Sequence, residues 1–217
     1  MKTRLHACCT PQQAADLYRA FILDSAEILQ RCDAEAKVVA HDPPEAAAQV
    51  RALLPGGAFD FVPQPDGDLG NRMAGMLQYA VAAGASRAVI IGSDSPSLPS
   101  TYVDDALVAL ESTDLVLGPS TDGGYYLVGA RLQGPGVPDI FAGIDWSTGD
   151  VLAQTLDRVE ALPGSLSLAL LPIWYDVDRP ADAALLRLHL RALRCSGVDA
   201  AGHSLRVLEA LPLPSPS

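Results

Sequence analysis

Hydrophobic positions along this chain switch between two spacings. Ala14, Leu17, Tyr18, Phe21 and Ile28 recur at intervals that fit one face of a helix. Thr10-Pro11-Gln12-Gln13 stands just ahead of them. Thr10 can cap, Pro11 suits the first helical position and Gln13 can reach back, so a helix is predicted from there to about Cys32. Short apolar runs then predict strands over 37–40, 59–62, 88–91, 114–117, 125–129 and 166–171. Between them, helical patterns cover 45–54, 69–83, 101–110 and 180–193, with Asp178 or Arg179 near the cap of the last. Ser147-x-x-Asp150 has the form of a second capping box, opening a helix to about Glu160. Pro55-Gly56-Gly57 and Gly84 read as stops, and the closing LPLPSPS as a frayed tail.

Strands alternating with helices imply an α/β fold with a mostly parallel sheet and helices on both faces. In such sheets ligands bind beyond the carboxyl ends of the strands, so chemistry is sought just after each apolar run.

Composition narrows the function classes. The 217 residues are 49% hydrophobic and 19% charged, enough to bury a core in one generous domain. Asp and Glu number 26 against 15 Lys and Arg, a net charge of −11, which argues against a protein that neutralises nucleic-acid phosphates. No apolar run approaches the length of a membrane span, and MKTRLHACCTPQQ has no apolar stretch of the secretory kind; a cytoplasmic protein is expected. Cys8, Cys9, Cys32 and Cys195 form no C-x-x-C pair and read as free thiols, with a Cys8–Cys9 metal or redox site as the sharper alternative.

The loops after the strands carry the candidate chemistry. Asp94, in Gly92-Ser93-Asp94-Ser95-Pro96, offers a hard oxygen ligand that could hold Mg²⁺ or Mn²⁺ with substrate phosphates, although the same residues make ordinary turns. Asp122-Gly123-Gly124-Tyr125 either lets backbone approach a ligand or makes a hairpin turn. Asp176, Asp178 and Asp182 crowd a strand-to-helix junction. Asp176 and Asp178 share strand parity and could share a cation, while Asp178 and Asp182 could equally cap the helix. Lys2-Thr3-Arg4 could hold phosphate or be a basic terminus. Gln64 to Arg72 mixes glycine with amide and guanidinium donors, and Trp146-Ser147-Thr148 precedes a helix whose N-terminus could take an anion. Phosphate-binding P-loops, dinucleotide fingerprints, zinc-protease helices and nucleophile elbows are absent from the sequence, and His6, His41, His189 and His203 are scattered.

Taken in order, these segments resemble a known family. Lys2-Thr3-Arg4-Leu5, Gly67-Asp68-Leu69-Gly70-x-Arg72-Met73, Ile91-Gly92-Ser93-Asp94-Ser95-Pro96, Gly118-Pro119-x-x-Asp122-Gly123-Gly124-Tyr125-Tyr126, Phe141-x-x-Ile144-x-Trp146-Ser147-Thr148 and Asp176-Val177-Asp178-Arg179-Pro180-x-Asp182 look like the bacterial GT-A glycosyltransferase-like family of the arsenosugar-biosynthesis type. That family is in turn similar to small-molecule nucleotidyltransferases, including guanylyltransferases acting on phospholactate or phosphoenolpyruvate.

The resemblance implies a Rossmann-like GT-A domain over 1–194 and an extension over 195–217. It implies a metal-dependent glycosyltransferase that moves a sugar from a nucleotide-diphospho-sugar to a small-molecule acceptor. The alternatives are a nucleotidyltransferase that activates a small phosphorylated metabolite and releases pyrophosphate, or an inactive nucleotide-binding relative. Asp94 and Asp178 would hold Mg²⁺ or Mn²⁺. Lys2, Arg4, Gln64, Gly70, Arg72 and Ser93 would bind nucleotide and phosphates. Asp122, Gly123, Gly124, Tyr125, Trp146, Ser147 and Thr148 would line the acceptor side. In the resembling family an apolar strand and a short loop precede Lys-Thr-Arg-Leu, so the sheet is expected to lack its first strand. The strands at 37–40 and 88–91 would then stand apart or close directly on each other, and Val38, Val39, Val89 and Ile90 would be exposed if they stood apart. Lys2 and Arg4 would lose the backbone that aims them.

Overall fold

The computed structural model describes residues 3–56, 59–132 and 137–214. The chain forms two compact units, one made of Met1–Arg31, Ser93–Pro99 and Tyr175–Ser217, the other of Cys32–Gly92 and Ser100–Trp174.

The first unit is helical. A 3₁₀ turn over Thr3–Ala7 leads into α1, Pro11–Arg31. The capping box at its start is present in full: the Thr10 amide donates to Gln13 Oε1 at 2.9 Å and the Gln13 amide to Thr10 Oγ1 at 3.2 Å. The apolar stripe then buries Leu17 and Phe21 completely. Helix α6, Pro180–Cys195, and helix α7, Gly202–Glu209, contribute Leu186, Leu190, Leu205 and Leu208 to the same core. Helix α7 lies in the stretch read as an extension, where no helix was expected.

The second unit holds the strands. Strand β1, Val38–His41, pairs in parallel with β2, Asp60–Pro63. A separate sheet has the order β3-β5-β4-β6, with β3 at Arg87–Ile91, β4 at Leu115–Pro119, β5 at Tyr125–Arg131 and β6 at Leu168–Leu170. Strands β4 and β6 are parallel, while β5 runs antiparallel to both β3 and β4. Of the two readings of Asp122-Gly123-Gly124, the reversal is therefore present: the segment joins antiparallel neighbours. Helices α2 (Ala47–Leu53), α3 (Leu69–Ala82) and α4 (Ser100–Ala109) fall where the patterns placed them, α2 being preceded by a 3₁₀ turn at Pro44–Ala46, while α5 (Val151–Ala161) begins later than the Ser147 box predicts.

Among the described residues β1 and β3 do not pair, so direct closure of one on the other is not what the chain does. Val38, Val39, Val89 and Ile90 are half-buried rather than exposed, so the faces expected to be bare on strands that stand apart are partly covered. The core of this unit forms instead around Leu115, Leu117, Val128, Ala130 and Ile140.

Candidate functional site

In the first unit, the segment after β3 runs alongside the segment before α6. The Val177 amide donates to the Asp94 carbonyl at 2.9 Å. Ser95 Oγ reaches the Tyr175 carbonyl at 3.1 Å and also the Asp176 carboxylate, and Ser97 Oγ donates to the Tyr175 hydroxyl at 3.2 Å. That hydroxyl lies 2.7 Å from His189 Nδ1, whose pKa is lowered by burial. Ser93 Oγ donates to the Tyr18 hydroxyl at 3.4 Å. Asp94 and Asp178 are thus carried on adjoining stretches of backbone.

The crowded carboxylates before α6 divide their work. Asp182 accepts from the Arg179 amide at 2.7 Å and the Asp178 amide at 3.1 Å, so it closes the first turn of the helix. Asp178 instead pairs with Arg4 at 3.0 Å. Arg4 is therefore aimed, contrary to the expectation that it loses its backbone support. The 3₁₀ turn that carries it is anchored by Leu5, which is completely buried. Lys2 lies outside the described residues.

A second group in this unit was missed by sequence reasoning. Asp24, buried on α1, accepts from the His203 amide at 3.1 Å and the Ser204 amide at 2.7 Å, and from the Ser204 hydroxyl. It caps the first turn of α7 from 180 residues away. Burial pushes its carboxyl above the usual range, against the pull of the Ser204 and His203 donors. Glu27 pairs with His203 at 3.2 Å, and ligand atoms of Asp24, Glu27 and His203 lie within 4.8 Å of one another, a set that could hold a metal ion. The available signal was an acid on the buried stripe of α1, at helical spacing from Leu17, Phe21 and Ile28.

In the second unit two groups of candidates assemble. Arg72 donates to Gln64 Oε1 and pairs with Asp42, both at 3.0 Å, so the loop after β2 and the first turns of α3 are tied together. Asp68 caps α3 by accepting from the Asn71 amide at 2.8 Å. Gly70 is a close-approach glycine: a Cβ there would stand 2.8 Å from the Trp146 ring.

The other group joins the β4–β5 loop to the turn before α5. Gly123 has φ +92°, and a Cβ on it would lie 2.0 Å from the Gly149 carbonyl oxygen. The Leu152 amide donates to the Gly123 carbonyl at 2.8 Å, and Asp122 Oδ1 accepts from the Gly124 amide at 3.0 Å. Tyr125 and Phe141 pack on Trp146, with ring centroids 6.5 Å and 6.4 Å away. Burial pushes the Tyr125 hydroxyl up to about 12, so it stays protonated. The second capping box is corrected: Ser147 has φ +67° and caps nothing, the helix starts at Val151 after Asp150, and the Thr148 hydroxyl donates to the Asp145 carbonyl at 2.7 Å. The box composition was right, but two turns of loop absorb it before the helix begins.

Residues 25–148 match the family described as "Uncharacterized protein conserved in bacteria (DUF2064)", more than half of the chain. The chain belongs to this family. A curated relative, the 3-phospho-D-glycerate guanylyltransferase of Phenylobacterium zucineum (strain HLK1), is 30% identical over 188 residues, which cover 84% of this chain and 82% of the relative. The crystal structure of a Desulfovibrio desulfuricans G20 protein assigned to the nucleotide-diphospho-sugar transferases superposes with a TM-score of 0.83 at 33% identity, covering 97% of this chain and 88% of that one. That of Rv0371c from Mycobacterium tuberculosis H37Rv gives 0.51 at 17% identity over 76% and 82% of the two chains, a likeness of fold alone. The DUF2064 chain therefore has the nucleotide-diphospho-sugar transferase-like fold that its motifs resembled. Among its described residues no helix is long and apolar enough to cross a membrane.

Proposed function

We propose that this DUF2064 chain is a nucleotidyltransferase that uses a nucleoside triphosphate to activate a small phosphorylated acid. The observation that carries the reading is the Val177–Asp94 backbone bond at 2.9 Å, which sets the acid-bearing stretches at 94 and 178 side by side. Their donors are carboxylate oxygens, the ligand type that suits Mg²⁺ or Mn²⁺. A cation held there would neutralise charge on the triphosphate and its leaving group. Arg4, already at Asp178, adds a positive group for the same phosphates. In the reaction an oxygen of the acceptor attacks the α-phosphorus, the bond to the β-phosphate bridging oxygen breaks, and pyrophosphate departs with the electron pair. Gln64, Gly70, Arg72, Ser93 and Lys2 are assigned to the nucleotide. Asp122 to Tyr125 and Trp146 to Thr148 are assigned to the acceptor.

The guanylyltransferase relative supports this reading. The second reading, glycosyl transfer from a nucleotide-diphospho-sugar, was the leading expectation from the motifs and is supported by the Desulfovibrio neighbour. One experiment separates them. The full chain is incubated with Mg²⁺ or Mn²⁺, a panel of nucleoside triphosphates with small phosphorylated acids, and a panel of nucleotide sugars. Pyrophosphate release with a new nucleotidyl adduct by mass spectrometry supports nucleotidyl transfer. Nucleoside diphosphate release from a sugar donor overturns it in favour of the second reading. Asp94→Asn is expected to lower the rate by at least about 100-fold, as loss of one electrostatic stabiliser does in other enzymes; wild-type turnover in that variant sinks the role given to Asp94.

A further inference from the structure

Resting on that reading, we infer that Ser95 is a positioning residue: its hydroxyl, set between the Tyr175 carbonyl and the Asp176 carboxylate, fixes the stretch carrying Asp178 against the stretch carrying Asp94. Ser95 and Ser97 are 3% and 4% exposed in a loop rich in turn residues, where short polar side chains ordinarily face water. Both point their hydroxyls at one neighbour, the 175–176 backbone and side chains. The Val177 amide returns a bond to the Asp94 carbonyl at 2.9 Å, so the two stretches are joined at Asp94 itself and at the residue that follows it. A serine hydroxyl has one proton, and an ionised carboxylate is the stronger acceptor, so Asp176 is the partner that takes it while the Tyr175 carbonyl at 3.1 Å shares it. This gives the three neighbouring acids three different tasks. Asp182 closes a helix, Asp178 meets Arg4, and Asp176 anchors the loop that presents Asp94. Groups that orient metal-binding carboxylates commonly change metal affinity by about 10- to 100-fold when removed.

The test is Mn²⁺ affinity of the full chain, followed by electron paramagnetic resonance of free Mn²⁺, with melting temperature recorded in parallel. Wild type is compared with Ser95→Ala, Ser95→Thr, Asp176→Asn and Asp94→Asn. Ser95→Ala is expected to weaken Mn²⁺ by about 10-fold or more in the folded protein. Ser95→Thr keeps the hydroxyl and is expected to restore most of the affinity. Asp176→Asn keeps the shape but not the charge-assisted bond, and is expected to fall between; it carries the test if Ser95→Ala does not fold. A folded Ser95→Ala, or failing that Asp176→Asn, with wild-type Mn²⁺ affinity and only a lowered melting temperature overturns the inference while Asp94→Asn still loses the metal. Wild-type affinity in Asp94→Asn instead overturns the metal reading of Asp94, and the positioning role with it.

Discussion

Strands β3 and β4 begin as similar apolar runs and finish in different environments. Leu115, Val116 and Leu117 on β4 are completely buried, and β5 buries Tyr126 through Ala130. No residue of Arg87–Ile91 on β3 is fully buried, and Val38, Val39 and Ala40 on β1 are no better covered. Partners explain the difference. Strand β4 lies between β5 and β6, and β5 between β3 and β4, whereas among the described residues β3 and β1 each pair along one edge. Apolar composition predicts that a segment is a strand; the number of strands beside it decides how much of that surface leaves water. Edges that keep half-exposed valine and isoleucine are the surfaces through which such sheets associate wrongly.

Truncating matched positions breaks or sustains this contrast. Leu117→Ala removes a completely buried side chain from the core around Val128 and Ile140, and is expected to cost about 2–5 kcal/mol. Val89→Ala acts on a half-buried strand with water already nearby and is expected to cost about 1 kcal/mol or less. Urea denaturation of the two variants gives the comparison directly. Equal losses mean that β3 is as well buried as β4 in solution, and that the partner argument is wrong.

The turn that delivers β5 into the buried sheet gives the next largest effect. At Gly123 a Cβ would meet backbone, the Gly149 carbonyl at 2.0 Å, and no side chain can swing aside to relieve it. The φ of +92° adds strain for any L side chain. Gly123→Ala is expected to cost roughly 2 kcal/mol and to loosen Trp146, whose fluorescence should shift towards that of a wetter indole. Gly84→Ala serves as the comparison: it has a similar φ of +84° but open space around it, so it bears the conformational strain without the collision. If both lower the melting temperature equally, the close approach to Gly149 contributes nothing.

Local chemistry was legible in the sequence and long-range chemistry was not. The Thr10–Gln13 box could be read because both partners sit within one helical turn. The apolar stripe of α1 and the turn at Asp122-Gly123-Gly124 are likewise local patterns. Helix α7 was invisible because it starts after Ala201 at φ +47°, without a side-chain cap of its own, and takes its cap from Asp24. Asp176, Asp178 and Asp182 looked interchangeable on spacing; their distant partners, Ser95 for Asp176 and Arg4 for Asp178, and the Arg179 amide for Asp182 tell them apart. Ser147 misled for the opposite reason, since a box of the right composition carries no information about the φ of its first residue.

Asp114 gives the smallest expected effect and the one that follows pH. It stands at the start of β4 and ties that strand to both neighbours: its carboxylate accepts from the Ser167 amide at 2.9 Å, the Ser167 hydroxyl at 2.6 Å and Arg131 at 2.5 Å. The Ser167 hydroxyl, then Arg131 and the Ser167 amide, hold its pKa down at about 2. Since the folded value lies below the ordinary one, the bonds stabilise the fold fully above about pH 4 and that stability is lost as pH falls towards 2. Solvent screens the gain, because both side chains of the Arg131–Asp114 pair are 31% exposed. Asp114→Asn removes the titration and keeps the shape. It is expected to be less stable than wild type at neutral pH, with the gap closing as pH drops from about 4 to about 2. Urea midpoints of both proteins across that range measure the gap; a gap that stays constant shows that the Asp114 carboxylate does not titrate as its three donors require.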